Sequence, residues 1–156
     1  MLKINYTHTV ILKQVRICYN PGMNFGDFLK PGLNAKKTSE VTEKNAASAF
    51  GSGFLAVYAT PAMITLMEAA ALSAVEPLLP AGWSTVGTEI NIKHISATPL
   101  GMKVYAVAEL LSIEGRALSF RVEAFDEAGK IGEGLHSRFI VENEKFQDKV
   151  QSKKAN

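Results

Sequence analysis

Between Pro61 and Pro77 the chain reads PAMITLMEAAALSAVEP, a segment so apolar that other parts of the chain must cover most of its sides. Its ends are marked. Thr60 stands where an N-cap belongs, and Pro61 suits the first helical position, where a missing N–H leaves no helical bond unmade. Pro77 stops the helix near Glu76. Four segments with strand character follow. TVGTEINIKHI (85–95) alternates, placing Val86, Thr88, Ile90, Ile92 and His94 on one face. GMKVYAVAELLSIEG and RALSFRVEAFDEAG meet at Glu114-Gly115, a hairpin signal, and KIGEGLHSRFIVE returns after the DEAG turn. Ahead of the helix, Lys36 to Thr42 is a short strand candidate, and FGSGF (50–54) is a flexible turn. The tail, NEKFQDKVQSKKAN, reads as a short polar helix or a frayed end. The order is therefore a short strand, one long helix, and four antiparallel strands joined by tight turns. That predicts an α+β fold with an antiparallel sheet wrapped around one long central helix. The outer face or edge of the sheet is left for a second copy of the chain.

At 156 residues the chain suits one domain with a sizeable core. A net charge of +2 and the absence of a basic stripe interleaved with aromatics argue against nucleic acid as a partner. No apolar run is long enough to span a membrane, and Lys13 and Arg16 interrupt the N-terminal apolar stretch, so no signal peptide is expected. Cys18 has no intrachain disulfide partner. The expected location is the cytoplasm. Residues 1–22 contain Lys3, Lys13 and Arg16 but no acidic residue, and end at Pro21-Gly22. They are expected to be an N-terminal extension without an assigned role (a strand, an arm or a leader), with residues 23–156 as the single domain.

Glu68 is the residue that the apolar segment does not explain. On a helical projection Ile64, Ala71, Leu72 and Val75 lie within about 60° of it. An unpaired carboxylate in such a stripe costs several kcal/mol or takes up a proton. A structural network or a surface lysine would also account for it, but carboxylates within apolar stripes gather at functional sites. His94 is expected on the strand face that looks at this helix. A lone histidine there is more often a satisfied core residue than a catalyst, yet two titratable groups on facing elements suggest a site. The additional His or Cys spacing of a metal centre is missing, as are the G-x-S-x-G nucleophile elbow and a phosphate-binding loop. Thr60 marks the positive end of the helix, suited to an anion or a developing oxyanion. Eight positions separate it from Glu68, about 12 Å along the axis, so one small substrate group reaches both only at a composite site.

The segments VYATPAMITLMEAAAL, VGTEINIKHISATPLG and GEGLHSRFIVENEKF closely resemble the hotdog-fold acyl-CoA thioesterases of the fluoroacetyl-CoA thioesterase-like group, over about Lys36 to Phe146. The resemblance implies two protomers pairing their sheets edge to edge, with active sites at the dimer interface. It implies catalytic roles for Thr60, Glu68 and His94, with the Gly87 backbone N–H helping to hold the thioester carbonyl. Phe54 falls at an aromatic lid position, and Arg138 at a basic position that serves either substrate binding or an ion pair within the dimer. A second lid aromatic, three residues before Phe54, is replaced by Gly51, which argues against selectivity for a fluorinated acetyl group. The expected reaction is hydrolysis of an acyl-CoA thioester to free acid and CoA, with Glu68 as general base or nucleophile, His94 moving protons and Thr60 orienting one of them. Lys93, Lys103 and Arg138 are candidates for the CoA phosphates. No metal or cofactor is expected beyond the CoA of the substrate. The expected assembly is a homodimer, or a dimer of dimers, with no nucleic-acid or membrane partner. Two rival readings are a non-catalytic acyl-CoA or small-acid binding module and an acyl-CoA hydratase. The hydratase would need an Asp/His arrangement not found here, and a pure binder gains little from burying a carboxylate.

Overall fold

The computed structural model describes residues 23–155; the extension expected at 1–22 lies outside the described residues. Five strands form one antiparallel sheet: β1 (Asn34–Glu40), β2 (Trp83–His94), β3 (Lys103–Glu114), β4 (Ala117–Asp126) and β5 (Lys130–Glu142), in the order β1-β3-β4-β5-β2. The long helix α1 (Thr60–Val75) packs across the inner face, chiefly against β1 and β3. The polar tail forms α2 (Asn143–Gln151).

Alternation explains how the sheet grips the helix. Val104, Ala106, Ala108 and Leu110 of β3 and Leu118, Phe120, Val122 and Ala124 of β4 point inward and are buried, while their neighbours face out. The helix offers mostly small or unbranched side chains in return: Ala62, Met63, Met67, Ala70, Ala71 and Ala74. Small residues let the axis approach the sheet closely, and the two methionines fill what is left. Edge-to-face packing of Phe25 on Trp83, with ring centroids 5.2 Å apart, closes one end of this core.

Three expectations need correction. The first strand starts two residues earlier than predicted and ends at Glu40, because its pairing with β3 runs from Asn34↔Glu109 to Glu40↔Lys103. The chain between β2 and β3 is not a tight turn: β2 pairs with β5 at one edge of the sheet, and residues 95–102 carry the chain across to β3. The regular alternation expected along 85–95 is broken by a bulge, since Gly87 pairs with Arg138 and Glu89 with Ser137, leaving Thr88 extra. Thr85 and Gly87 therefore share the inner face with Ile90, Ile92 and His94, whereas Val86 and Thr88 do not.

Candidate active site

The bulge and the helix together build one half of a site. Glu68 lies in the row Ile64–Glu68–Leu72, which is half-buried and flanks the fully buried helix face rather than running through its middle. Its side chain is 40% exposed within one chain. The carboxylate lies against the Gly87 backbone, so that a Cβ built on Gly87 would come 2.5 Å from Glu68 Oε1 and 3.2 Å from His136 Cε1. Only a glycine allows that approach.

Behind the carboxylate sits a buried polar cluster that sequence reasoning only partly found. Arg138 is 7% exposed and donates from Nε to the Thr85 hydroxyl (2.8 Å) and from Nη2 to the Thr85 carbonyl (2.9 Å). Its Nη1 lies 3.2 Å from His136 Nε2, and His136 Nδ1 lies 2.8 Å from the Glu89 carbonyl at the bulge. A carbonyl only accepts, so Nδ1 carries the proton and Nε2 accepts from Arg138. His136 Nε2 is also 3.7 Å from Glu68 Oε1, too far for a hydrogen bond and without a hydrogen to give. The histidine is thus neutral. Burial lowers the pKa of Arg138, while the charges of Glu68 and Glu76 raise it. Arg138 points inward, a placement that fits support of the Glu68 carboxylate better than contact with a CoA phosphate. His136 and Thr85 were not singled out in the sequence; the available signal was strand alternation, which puts His136 on the same face as Arg138, two residues on.

The other half lies at the helix N-terminus. Thr60 is the first residue of α1, and its hydroxyl makes no cap bond; it meets His94 Nδ1 at 2.8 Å instead. The expected N-cap role is therefore corrected: Ala59 occupies that position, and the threonine holds the imidazole. His94 Nε2 is buried and has no hydrogen-bond partner among the described residues. Beside this pair a cavity of about 430 Å³ is lined by Leu55, Val57, Tyr58, Ile95 and others. Phe54 is fully exposed on the loop at its rim. Gly51 ends a short 3-10 turn (Ala47–Phe50) with φ of 63°, a conformation that an aromatic residue adopts only at a cost. Within one chain, then, Thr60 joins His94, and Glu68 joins Gly87, His136 and Arg138.

Burial lowers the pKa of both His94 and His136 below the ordinary 6.5; at His94 the Ser96 backbone offsets part of the shift, and at His136 the Glu89 bond and Glu68 oppose it while Arg138 adds to it. The unfolded chain binds these protons more readily, so the stability they contribute is complete above 6.5 and lost as pH falls below it. Thermal unfolding should show a lower Tm at about pH 5.5 than at about pH 7.5. An unchanged Tm would contradict the burial of the two rings.

Comparison with known proteins agrees with this architecture. The family model of the fluoroacetyl-CoA-specific thioesterase matches residues 41–144. The fluoroacetyl-CoA thioesterase of Streptantibioticus cattleyicolor is 46% identical over 100 residues, covering 64% of this chain and 72% of that protein. A solved fluoroacetyl-CoA thioesterase superposes with a TM-score of 0.75 at 37% identity, covering 80% of this chain and 97% of that one. A hot-dog-like protein from Thermanaerovibrio acidaminovorans, 20% identical, shares the fold with a TM-score of 0.77 over 84% of this chain and 97% of its own. The chain belongs to the fluoroacetyl-CoA-specific thioesterase family and is a thioester hydrolase built on the hotdog fold.

Proposed function

We propose that the substrate is an acyl-CoA thioester, hydrolysed to free acid and CoA at a site completed by two copies of the chain. The observation that carries this reading is the separation of the two half-sites along β2. Glu68 lies against Gly87, the fifth residue of β2, and Thr60 holds His94, its last. Seven positions of extended chain separate Gly87 from His94, about 20 Å once the bulge is allowed for. Among the described residues β2 is also an edge strand, hydrogen-bonded only to β5, and its central residues Gly87, Thr88, Glu89 and Asn91 are exposed. A long unpaired edge is a template for a second strand. Antiparallel pairing of two such edges about a two-fold axis near Ile90–Asn91 lays Gly87 opposite His94 of the partner subunit. Each dimer then holds two complete sites.

At such a site the Glu68 carboxylate either takes a proton from the attacking water or itself bonds the carbonyl carbon, and on the second route water then cleaves the resulting anhydride to release the acid and restore the carboxylate. Backbone N–H groups freed by the bulge stabilise the carbonyl oxygen as it becomes an oxyanion. As the C–S bond breaks, the thiolate of CoA leaves and takes up a proton. His94, oriented by Thr60 and kept neutral at pH 7 by its lowered pKa, serves the proton transfers. The cavity of about 430 Å³ beside Thr60 fits acyl groups larger than fluoroacetyl.

A thiol-release assay over short, branched and aromatic acyl-CoAs, with fluoroacetyl-CoA in the panel, tests this. The expected result is turnover of at least one non-fluorinated acyl-CoA, lost in His94→Ala. Tight binding without thiol release from any of them would contradict it and favour a binding module.

A further inference from the structure

The polar cluster behind Glu68 assigns a role to a residue outside the expected catalytic set. We propose that His136 is a positioning residue, whose Nε2 lone pair fixes the Arg138 guanidinium where its charge faces Glu68. This rests on the reading of Glu68 as the residue that acts on the thioester.

The geometry leaves His136 one way to serve. Its Nδ1 is committed to the Glu89 carbonyl at 2.8 Å, which makes Nε2 an acceptor, and Nη1 of Arg138 stands 3.2 Å away to be accepted. The ring is 2% exposed and packs near Phe120 of β4, with centroids 6.3 Å apart, so it has little room to flip or swing. The charged groups facing it are Glu68 from α1 and Arg138 from its own strand, while β2 presents the Glu89 carbonyl. Thr85 holds the far side of the guanidinium through two bonds. His136 therefore supplies the third anchor, the one nearest Glu68. Protonating Nε2 would set two donors against each other and release that anchor.

One consequence concerns the bulge. The Glu89 carbonyl that fixes the tautomer belongs to the irregularity that brings Gly87 onto the inner face. The backbone beside the reacting carbonyl and the charge behind Glu68 are thus held by one ring. A shift in either reaches the other through His136, without any contact between His136 and substrate.

The test has two arms. Long-range proton–nitrogen NMR of the substrate-free protein reads the His136 tautomer directly, with the expected result of a neutral ring protonated at Nδ1 at pH 7. Kinetics of His136→Gln and His136→Leu on an acyl-CoA turned over by the unaltered protein form the second arm. Glutamine restores an acceptor at the Nε2 position and leucine does not. The leucine variant should lose about 100-fold in kcat with KM within about threefold, and glutamine should recover at least about tenfold of that loss. Where His136→Leu does not fold, His136→Asn, which keeps a donor toward Glu89 but is too short to place its carbonyl at the Nε2 position, takes its place. A ring protonated at Nε2, or equal kcat in the glutamine and leucine variants, would overturn the proposal. The tautomer is read without substrate, so an absence of thioesterase activity in the unaltered protein would strike the functional reading and leave the NMR arm to decide this one.

Discussion

Replacing Glu68 with glutamine cuts thiol release by about 1,000-fold or more while the protein stays folded. Glutamine keeps the shape and the contact with Gly87 but can neither take a proton from water nor bond the carbonyl carbon. The side chain is 40% exposed in one chain, so the swap leaves no cavity in the buried helix face. The loss is expected in kcat, with KM changed little, because in the proposed reaction the carboxylate acts on the reacting bond and not on the CoA moiety. Thermal unfolding measured on the same sample separates loss of chemistry from loss of structure. Retention of more than about a tenth of the activity would remove Glu68 from the chemistry.

Gly87→Ala is expected to lose about 100-fold in kcat/KM. The backbone there has no positive φ, so alanine meets no conformational penalty. What it meets is the Glu68 carboxylate at 2.5 Å and the His136 ring at 3.2 Å. The carboxylate is the movable partner and shifts by a large part of an ångström, which takes it out of line with the thioester carbon. Overpacking of this kind lowers stability by about 1–2 kcal/mol, readable as a modest drop in Tm. Unchanged activity in the alanine variant would mean that Glu68 does not work from beside Gly87.

Much of this was legible in the chain, and the parts that were not share a cause. The helix announced itself through Pro61, Pro77 and the apolar run between them, and four strands followed from alternation and turn residues. Glu68 stood out because a carboxylate in that run needs a reason. The pairing of β2 with β5 was hidden, since strand order is decided by contacts far apart in sequence. The bulge at Gly87 was hidden in the same way: TVGTEINIKHI alternates well enough to look regular, and only the register against Arg138 and Ser137 exposes the extra residue. A glycine inside a strand was the available hint. Thr60 shows a local rule yielding to a long-range one, because its hydroxyl could have capped the helix and instead reaches across 34 positions to His94. Alternation in GEGLHSR puts His136 on the same face as Arg138, but nothing in that segment says that this face is the inner one or that the ring bonds the guanidinium there.

The two-chain site is tested most directly by pairing two inactive proteins. Glu68→Gln and His94→Ala chains, carrying different affinity tags, are co-expressed, and the mixed dimer is isolated through both tags. Glu68 of one chain and His94 of the other then make one intact site of two, and the mixed dimer should show about half the activity of the unaltered dimer. If both residues of each site came from the same chain, every site in the mixed dimer would be broken. A mixed dimer as inactive as its parents, or the failure of any mixed species to form, would contradict the account.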